Sequence, residues 1–165
     1  MSAPNPQYLK LLEHEVQNRA FALLGCHIMK GRVTQPDDVA FYDAWLAFEE
    51  LQKERYAPVA KRYGFSQEPS WSAKLQARFA GVIAMVMSEN TVLKTMITQT
   101  VDYIGKLEEM ERLAPESDRE FAAYVVKQER IQPDVMRHRV EGRSAEGVRM
   151  LRDFVAEHSQ QPAFA

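Results

Sequence analysis

The sequence lacks most of the features that would set a chain apart from an ordinary folded domain. Its one cysteine, Cys26, cannot form an internal disulfide bond. Its 23 acidic and 21 basic residues nearly balance, so it lacks the positive charge typical of a nucleic-acid-binding protein. The longest apolar run, residues 79–87, is far shorter than the ~20 residues that a membrane-spanning helix needs. The first residues do not resemble a signal peptide, so we expect a cytoplasmic protein that binds neither membrane nor nucleic acid.

What is present predicts a single all-α domain that spans residues 1–165. Hydrophobic residues make up 45% of the chain and charged residues 27%, a balance typical of a globular protein with one core. Apolar residues recur every three or four positions, whereas no segment alternates apolar and polar residues as a strand would. Every predicted element is therefore a helix.

Turn-forming residues divide the chain into helices. Thr34, Ser117 and Ser144 are expected to cap the second, fourth and fifth helices through their side chains. The third helix would be unusually long if it were unbroken, so we expect a break near residues 88–91. The predicted helices are 7–30, 36–63, 71–113, 117–142 and a short C-terminal helix at about 145–158, followed by a frayed tail at 159–165.

The lengths of the links predict how these helices pack. A link of a few residues forces two helices to run antiparallel, because the chain is too short to cross the bundle. Such links join the first helix to the second and the third to the fourth, whereas a longer connector at 65–70 separates the two pairs. We therefore expect a four-helix bundle over residues 7–142, made of two antiparallel hairpins, with the short C-terminal helix added to it.

Four polar residues fall on the apolar faces of the second and fourth predicted helices. Glu49 lies four residues after Trp45, and Gln52 lies three after Glu49, so both project toward the core. In the fourth helix, Glu129 and Gln132 repeat the same Glu-x-x-Gln spacing. Each hairpin thus contributes one such pair to the interior.

The first and third helices are expected to add polar groups at a similar height. Glu15 lies on the inner face of the first helix, with Glu13 as the alternative, and the hairpin turn brings Glu15 level with Glu49. The residues expected opposite the fourth helix are Gln99, Thr100 and Tyr103.

Three interpretations of this cluster stay open in the sequence. In the first, the glutamines donate hydrogen bonds to the glutamates and Arg19 balances part of their charge, since buried carboxylates need partners. In the second, the face assignment is wrong and the residues meet solvent. In the third, the cluster holds a metal ion, and its candidate ligands are Glu15, Glu49, Gln52, Glu129 and Gln132.

The third interpretation has a counterpart in a known family. Four long helices in two hairpins, the Glu49-x-x-Gln52 spacing and the segment from Tyr124 to Gln132 resemble the ferritin-like superfamily of di-iron carboxylate bundles, which includes rubrerythrins and bacterioferritins. The resemblance covers residues 7–142. It implies a ferritin-like four-helix bundle, a site for iron or manganese, and oxidoreductase activity.

The sequence departs from that family at the metal-binding positions. Gln52 and Gln132 stand where the family has histidines, and a glutamine oxygen is a weaker ligand than an imidazole. The third helix has no carboxylate at the matching height, since Glu89 lies about three turns away. His27 is expected on the inner face but far from the cluster, and the other three histidines are expected at the surface.

Three functions therefore remain open in the sequence. The first is a diverged ferritin-like bundle that has lost part or all of its metal chemistry and would serve as a small-molecule-binding or dimeric interaction module. The second is a metal-dependent oxidoreductase that holds iron or manganese through an unusual Glu/Gln ligand set. The third is a helical adaptor with no pocket.

Two apolar features bear on partners. The run at 79–87 is apolar on every side, so something must cover it, and we expect a homodimer in which a second copy does so. The aromatic residues of the second helix are interpreted as core, as a dimer face or as the lining of a pocket for a small apolar ligand. They are Phe41, Tyr42, Trp45, Phe48, Tyr56 and Tyr63.

Overall fold

The secondary structure of the described chain is helical, and the all-α prediction is confirmed. The computed structural model describes residues 4–71 and 87–164, and within these ranges it contains no strand. None of the helices in the described ranges is long and apolar enough to cross a membrane. The helices are α1 (Pro6–Lys30), α2 (Pro36–Tyr63), α3 (Glu89–Leu113), α4 (Arg119–Val140) and α5 (Ser144–His158), with a short 3₁₀ turn at Glu116–Asp118.

Several predicted helix ends are confirmed. α1 and α2 end where the sequence predicts, and Gly64 follows α2 in the left-handed conformation, with φ 73°. α3 begins at Glu89 after two non-helical residues, 87 and 88, which agrees with the expected break near residues 88–91. The preceding part of that predicted helix, at 72–86, lies outside the described residues. The Ser88 side chain caps α3 by accepting a hydrogen bond from the Thr91 N–H at 3.3 Å.

The side-chain caps expected for the other helices are wrong. α2 begins at Pro36 without a cap from Thr34, because a proline in the first position needs no N–H partner and already has a helical φ. Ser117 lies in the 3₁₀ turn and donates to Asp118 instead of capping α4. Ser144 is the first residue of α5 and not its cap.

The helices of the described chain pack side by side in a closed order. α1 contacts α2, α2 contacts α5, α5 contacts α4, α4 contacts α3, and α3 contacts α1. The short C-terminal helix therefore lies in the wall of the bundle, between α2 and α4. Its Phe154 ring lies 5.2 Å from the ring of Phe48 on α2 and 5.9 Å from that of Tyr124 on α4.

A glycine allows α5 to approach α4 closely. A Cβ atom at Gly147 would lie 3.1 Å from the carbonyl oxygen of Val135. Together with Val148, Leu151 and Phe154, this contact closes the core on the side between α2 and α4.

The aromatic residues of α2 belong to the core. All but Tyr63 are buried within the bundle, and Tyr63 is partly buried. The apolar run at 79–87, on which the homodimer prediction depends, lies outside the described residues except for its last residue, Met87.

Candidate functional site

One buried arginine lies at the centre of the predicted polar cluster. α1 places Glu15 and Arg19 one helical turn apart, and Arg19 Nε lies 3.3 Å from Glu15 Oε1. Arg19 Nη1 lies 3.3 Å from Glu49 Oε1, and Nη2 lies 3.1 Å from Glu129 Oε2. One guanidinium thus pairs with a carboxylate from each of α1, α2 and α4.

The five candidate ligands are all buried, so the solvent-facing interpretation is wrong. Each of them is 5% exposed or less, whereas Glu13 is exposed, and Glu15 is therefore the inward glutamate of α1. Gln132 reaches the same cluster, because its Nε2 donates to Glu129 Oε2 at 3.0 Å.

Gln52 is buried but makes its hydrogen bonds elsewhere. Its Nε2 donates to the Phe48 carbonyl at 3.2 Å, and its Oε1 accepts from the Tyr124 hydroxyl at 2.7 Å. The spacing correctly predicts that Gln52 lies on the inner side of α2. Its side-chain oxygen accepts from the Tyr124 hydroxyl, so it does not bond to the cluster around Arg19.

Gln128 belongs to the cluster and was not predicted. Its Nε2 donates to Glu129 Oε2 at 3.1 Å, and its Oε1 accepts from Gln132 at 3.1 Å and from Arg19 at 3.5 Å. The signal was present in the sequence, since Gln128 lies three residues after the buried Val125. We use the name Arg19 cluster for Glu15, Arg19, Glu49, Gln128, Glu129 and Gln132.

Two tyrosines complete the hydrogen bonds of Glu15. The Tyr56 hydroxyl donates to Oε1 and the Tyr103 hydroxyl donates to Oε2, both at 2.8 Å. Tyr103 was expected opposite Glu129 but bonds to α1, and Gln99, expected beside it, is exposed. α3 therefore contributes a phenol to the site where a carboxylate would be expected in a di-iron bundle.

Burial disfavours the charged forms of Glu49 and Glu129. Desolvation raises the pKa of Glu49, and Arg19 offsets only part of that effect. The pKa of Glu129 is raised for the same reason, although Arg19 and the two glutamine amides oppose the shift. The three surrounding carboxylates raise the pKa of Arg19 against its own desolvation, so the guanidinium stays charged.

The balance of donors and acceptors is incomplete at Glu49. Its Oε1 accepts from the Trp45 indole N–H at 3.3 Å and from Arg19, but its buried Oε2 has no hydrogen-bond partner in the described structure. A buried unpaired oxygen is costly, and protonation of the carboxyl lowers that cost. The geometry therefore agrees with the raised pKa.

The residues present do not fit the pair of metal ions that the ferritin resemblance implies. The Arg19 guanidinium lies where the three carboxylates converge, and the amides of Gln128 and Gln132 donate to Glu129. In residues 4–71 and 87–164, no group of three or more His, Cys, Asp or Glu side chains is arranged to hold a metal ion. A positive guanidinium and amide donors occupy the directions that metal ions would need.

None of the four histidines is a member of the Arg19 cluster, although His14 Nδ1 lies 3.2 Å from the Tyr103 hydroxyl. Two of the predictions for the histidines are wrong. His27 is exposed and does not face the core. His158 is 3% exposed, because its ring stacks on Phe154 at 4.1 Å and its Nδ1 lies 2.8 Å from the Phe154 carbonyl oxygen. α5 lies in the wall of the bundle, and this packing buries its last turn.

Asp118 is a second buried acidic centre that sequence reasoning missed. It is fully buried between α1, α2 and α4, and its Oδ2 accepts from the Tyr8 and Tyr63 hydroxyls at 2.7 Å each. Its Oδ1 lies 2.9 Å from Arg62 Nη1 and accepts from Ser117. With these partners Asp118 is fully satisfied, which indicates a structural role.

An open groove with a volume of about 470 Å³ lies between α1 and α2. Its walls include Leu23, His27, Glu50, Lys53 and Glu54. A smaller cavity of about 10 Å³ lies beside it and reaches Arg19, and this volume is at the lower limit for holding one water molecule. The groove is open and mixed in charge, unlike the enclosed apolar pocket expected for a small apolar ligand.

Comparisons of the chain with protein-family models, with curated proteins and with solved structures found no match. The function is therefore argued from the site itself.

The raised pKa of Glu49 leads to a prediction about pH. A carboxyl whose pKa is higher in the folded state stabilises the fold below its unfolded-state value, and that contribution is lost as pH rises through the folded pKa. We expect Glu49→Gln to unfold at a higher urea concentration than the unaltered chain at pH 8, and the difference to shrink toward pH 4. Urea titrations at both pH values measure it, with the exposed Glu50→Gln as the control. A difference that is the same at both pH values would contradict the raised pKa.

Proposed function

We propose that the protein is a diverged ferritin-like helical bundle that serves as a dimeric interaction or small-molecule-binding module, with no catalytic metal. The observation that carries this proposal is the contact of the Arg19 guanidinium with three carboxylates from three helices. Arginine stays charged at every physiological pH and offers five donors in a fixed fork. It therefore supplies the positive charge that a metal ion would otherwise supply to these glutamates.

The glutamines support the same reading. In the Glu-x-x-His pattern of di-iron bundles, the histidine binds the metal through a ring nitrogen. Here Gln132 donates both of its Nε2 bonds to neighbours in the cluster, and Gln52 is bonded to Tyr124. The amide donors of both side chains and the oxygen of Gln52 are thus engaged by neighbouring protein groups.

The alternative is a metal-dependent oxidoreductase that uses iron or manganese. It is favoured by the convergence of Glu15, Glu49 and Glu129 on one point of the interior, which is the usual way for bundles to build a metal site. This function would require Arg19 to leave the centre of the cluster.

Metal analysis of the purified protein distinguishes the two functions. We expect untagged protein, incubated with Fe²⁺ or Mn²⁺ under anaerobic conditions and then desalted, to retain far less than one ion per chain. The Glu49→Ala and Glu129→Ala variants are the matched controls, and their metal content should equal that of the unaltered chain. Near-stoichiometric metal that is lost in both variants would overturn the proposal in favour of the oxidoreductase.

The dimeric form of the module is tested separately. Met96 and Val101 on α3 are 41% and 47% exposed. Contact with a second copy would remove these apolar side chains from water. We expect light scattering to give twice the mass of one chain, and a single-chain mass at high concentration would contradict the dimer. A cytoplasmic location is part of the same proposal.

A further inference from the structure

Arg55 is a buried arginine without a carboxylate partner in the described residues. It is 4% exposed, and none of the ion pairs among residues 4–71 and 87–164 includes it. Its Nε is buried and has no hydrogen-bond partner. Burying a guanidinium without a counter-ion costs free energy, so other groups around Arg55 must stabilise its charge.

The surrounding groups are aromatic rings and backbone carbonyls. The guanidinium carbon lies 4.5 Å from the ring centres of both Tyr124 and Phe164, and these two rings contact each other, with their centres 5.3 Å apart. The charge therefore lies against a pair of adjacent aromatic rings. Nη1 donates to the carbonyl oxygens of His158 at 3.1 Å and Gln161 at 3.3 Å. Carbonyl dipoles and ring faces thus replace a carboxylate.

Half of these groups come from the segment that follows α5. Residues 159–163 are exposed, whereas Phe164 is partly buried. The Phe164 ring lies 5.4 Å from the ring of Phe121 and 5.3 Å from that of Tyr124. The segment was expected to fray, but its last described side chain lies in a receptor formed by α2 and α4, which we call the Arg55 slot (Arg55, Phe121 and Tyr124).

We propose that the Arg55 slot is a docking site for a short peptide segment with an aromatic side chain, and that residues 159–164 occupy it in cis. The structure shows which groups of the segment the slot binds. The Phe164 ring lies beside Phe121 and Tyr124, and the backbone carbonyl of Gln161 accepts a hydrogen bond from Arg55. The exposed residues 159–163 add no further side-chain anchor, so a partner with the same chemistry can displace the segment. If residues 159–164 were a permanent part of the core, an apolar residue at position 55 would cost less free energy to bury than a charged arginine.

A peptide titration tests this inference. The protein used in the titration carries Phe164→Ala, which removes the aromatic ring from the slot and leaves the side chains of the core helices unchanged. The probe is the blocked peptide S-Q-Q-P-A-F, which copies residues 159–164, and the control peptide ends in alanine. We expect saturable NMR shifts of the Phe121 and Tyr124 signals with the phenylalanine peptide and none with the control. The unaltered chain should bind the phenylalanine peptide at least about tenfold more weakly than the Phe164→Ala protein does. Its own segment competes for the slot at an effective concentration in the millimolar range.

A second variant keeps the test informative about Arg55. Phe164→Ala combined with Arg55→Met removes the charge but keeps an apolar side chain, so the helices stay folded, as circular dichroism would verify. We expect this protein to lose the peptide-induced shifts. Unchanged shifts with Arg55→Met, equal shifts with the alanine peptide, or no saturable shift in the Phe164→Ala protein would each overturn the proposal. None of these outcomes depends on the Arg19 cluster, so the proposed function is tested independently.

Discussion

Replacing Arg19 with methionine is expected to lower the free energy of unfolding by about 3–5 kcal/mol at pH 8. The variant keeps the length of the side chain but leaves Glu15, Glu49 and Glu129 without their shared counter-ion in a buried site. Burial already raises the pKa of Glu49 and Glu129, and loss of the guanidinium raises both further. The carboxyls therefore take up protons more readily at low pH, and the loss of stability should be smaller at pH 5 than at pH 8.

Urea-induced unfolding followed by circular dichroism measures this effect. Arg130→Met is the matched control, because Arg130 pairs with Glu108 at 2.6 Å but the two side chains are 59% and 42% exposed. We expect the control to change the free energy of unfolding by no more than about 0.5 kcal/mol. Arg19→Lys keeps the charge but not the forked donors of the guanidinium. Its loss of free energy of unfolding should lie between those of Arg19→Met and Arg130→Met. An Arg19→Met protein as stable as the control at pH 8 would show that the carboxylates do not depend on the guanidinium.

Asp118→Ala is expected to lower the free energy of unfolding by about 3 kcal/mol. The substitution removes the acceptor of two tyrosine hydroxyls and the ion-pair partner of Arg62. Tyr8 is fully buried, so its hydroxyl loses the acceptor without gaining water. These bonds join the start of α1, the end of α2 and the start of α4, so their loss loosens three helices at once.

The titration of Tyr63 gives this prediction a second measurement. Desolvation and the hydrogen bond to Asp118 raise the pKa of Tyr63 to about 12, and we expect the value to move back toward 10 in Asp118→Ala. Ultraviolet difference spectra follow the phenolate, and Asp134→Ala is the control, since Asp134 pairs with Arg137 at the surface. An unchanged Tyr63 titration together with unchanged stability would contradict the role given to Asp118.

Periodicity and end signals predicted the helices because both are local properties of the chain. The apolar spacing of Phe41, Phe48 and Tyr56 predicted the inner face of α2, and all three side chains are fully buried. The same reasoning predicted that Glu49 and Glu129 lie inside. Side-chain caps were predicted less well, because α2 begins at a proline and Ser117 donates to the adjacent Asp118 instead of capping α4.

Partner choice within the interior could not be predicted in the same way. Gln52 and Gln132 occupy equivalent positions in the sequence pattern, yet one bonds to Tyr124 and the other to Glu129. Arg55 lies three residues after Gln52, and nothing local indicates that residues 159–164 would cover it. Such contacts join residues far apart in the chain, so their geometry depends on how the helices rotate and slide against one another.

The sequence alone determined that this chain forms long amphipathic helices with carboxylates on their inner faces, because a helical repeat fixes which side chains share a face. Only the tertiary structure decided what those carboxylates meet. Packing places one guanidinium at the convergence of α1, α2 and α4, and a buried charge takes whichever partner lies within about 3 Å of it.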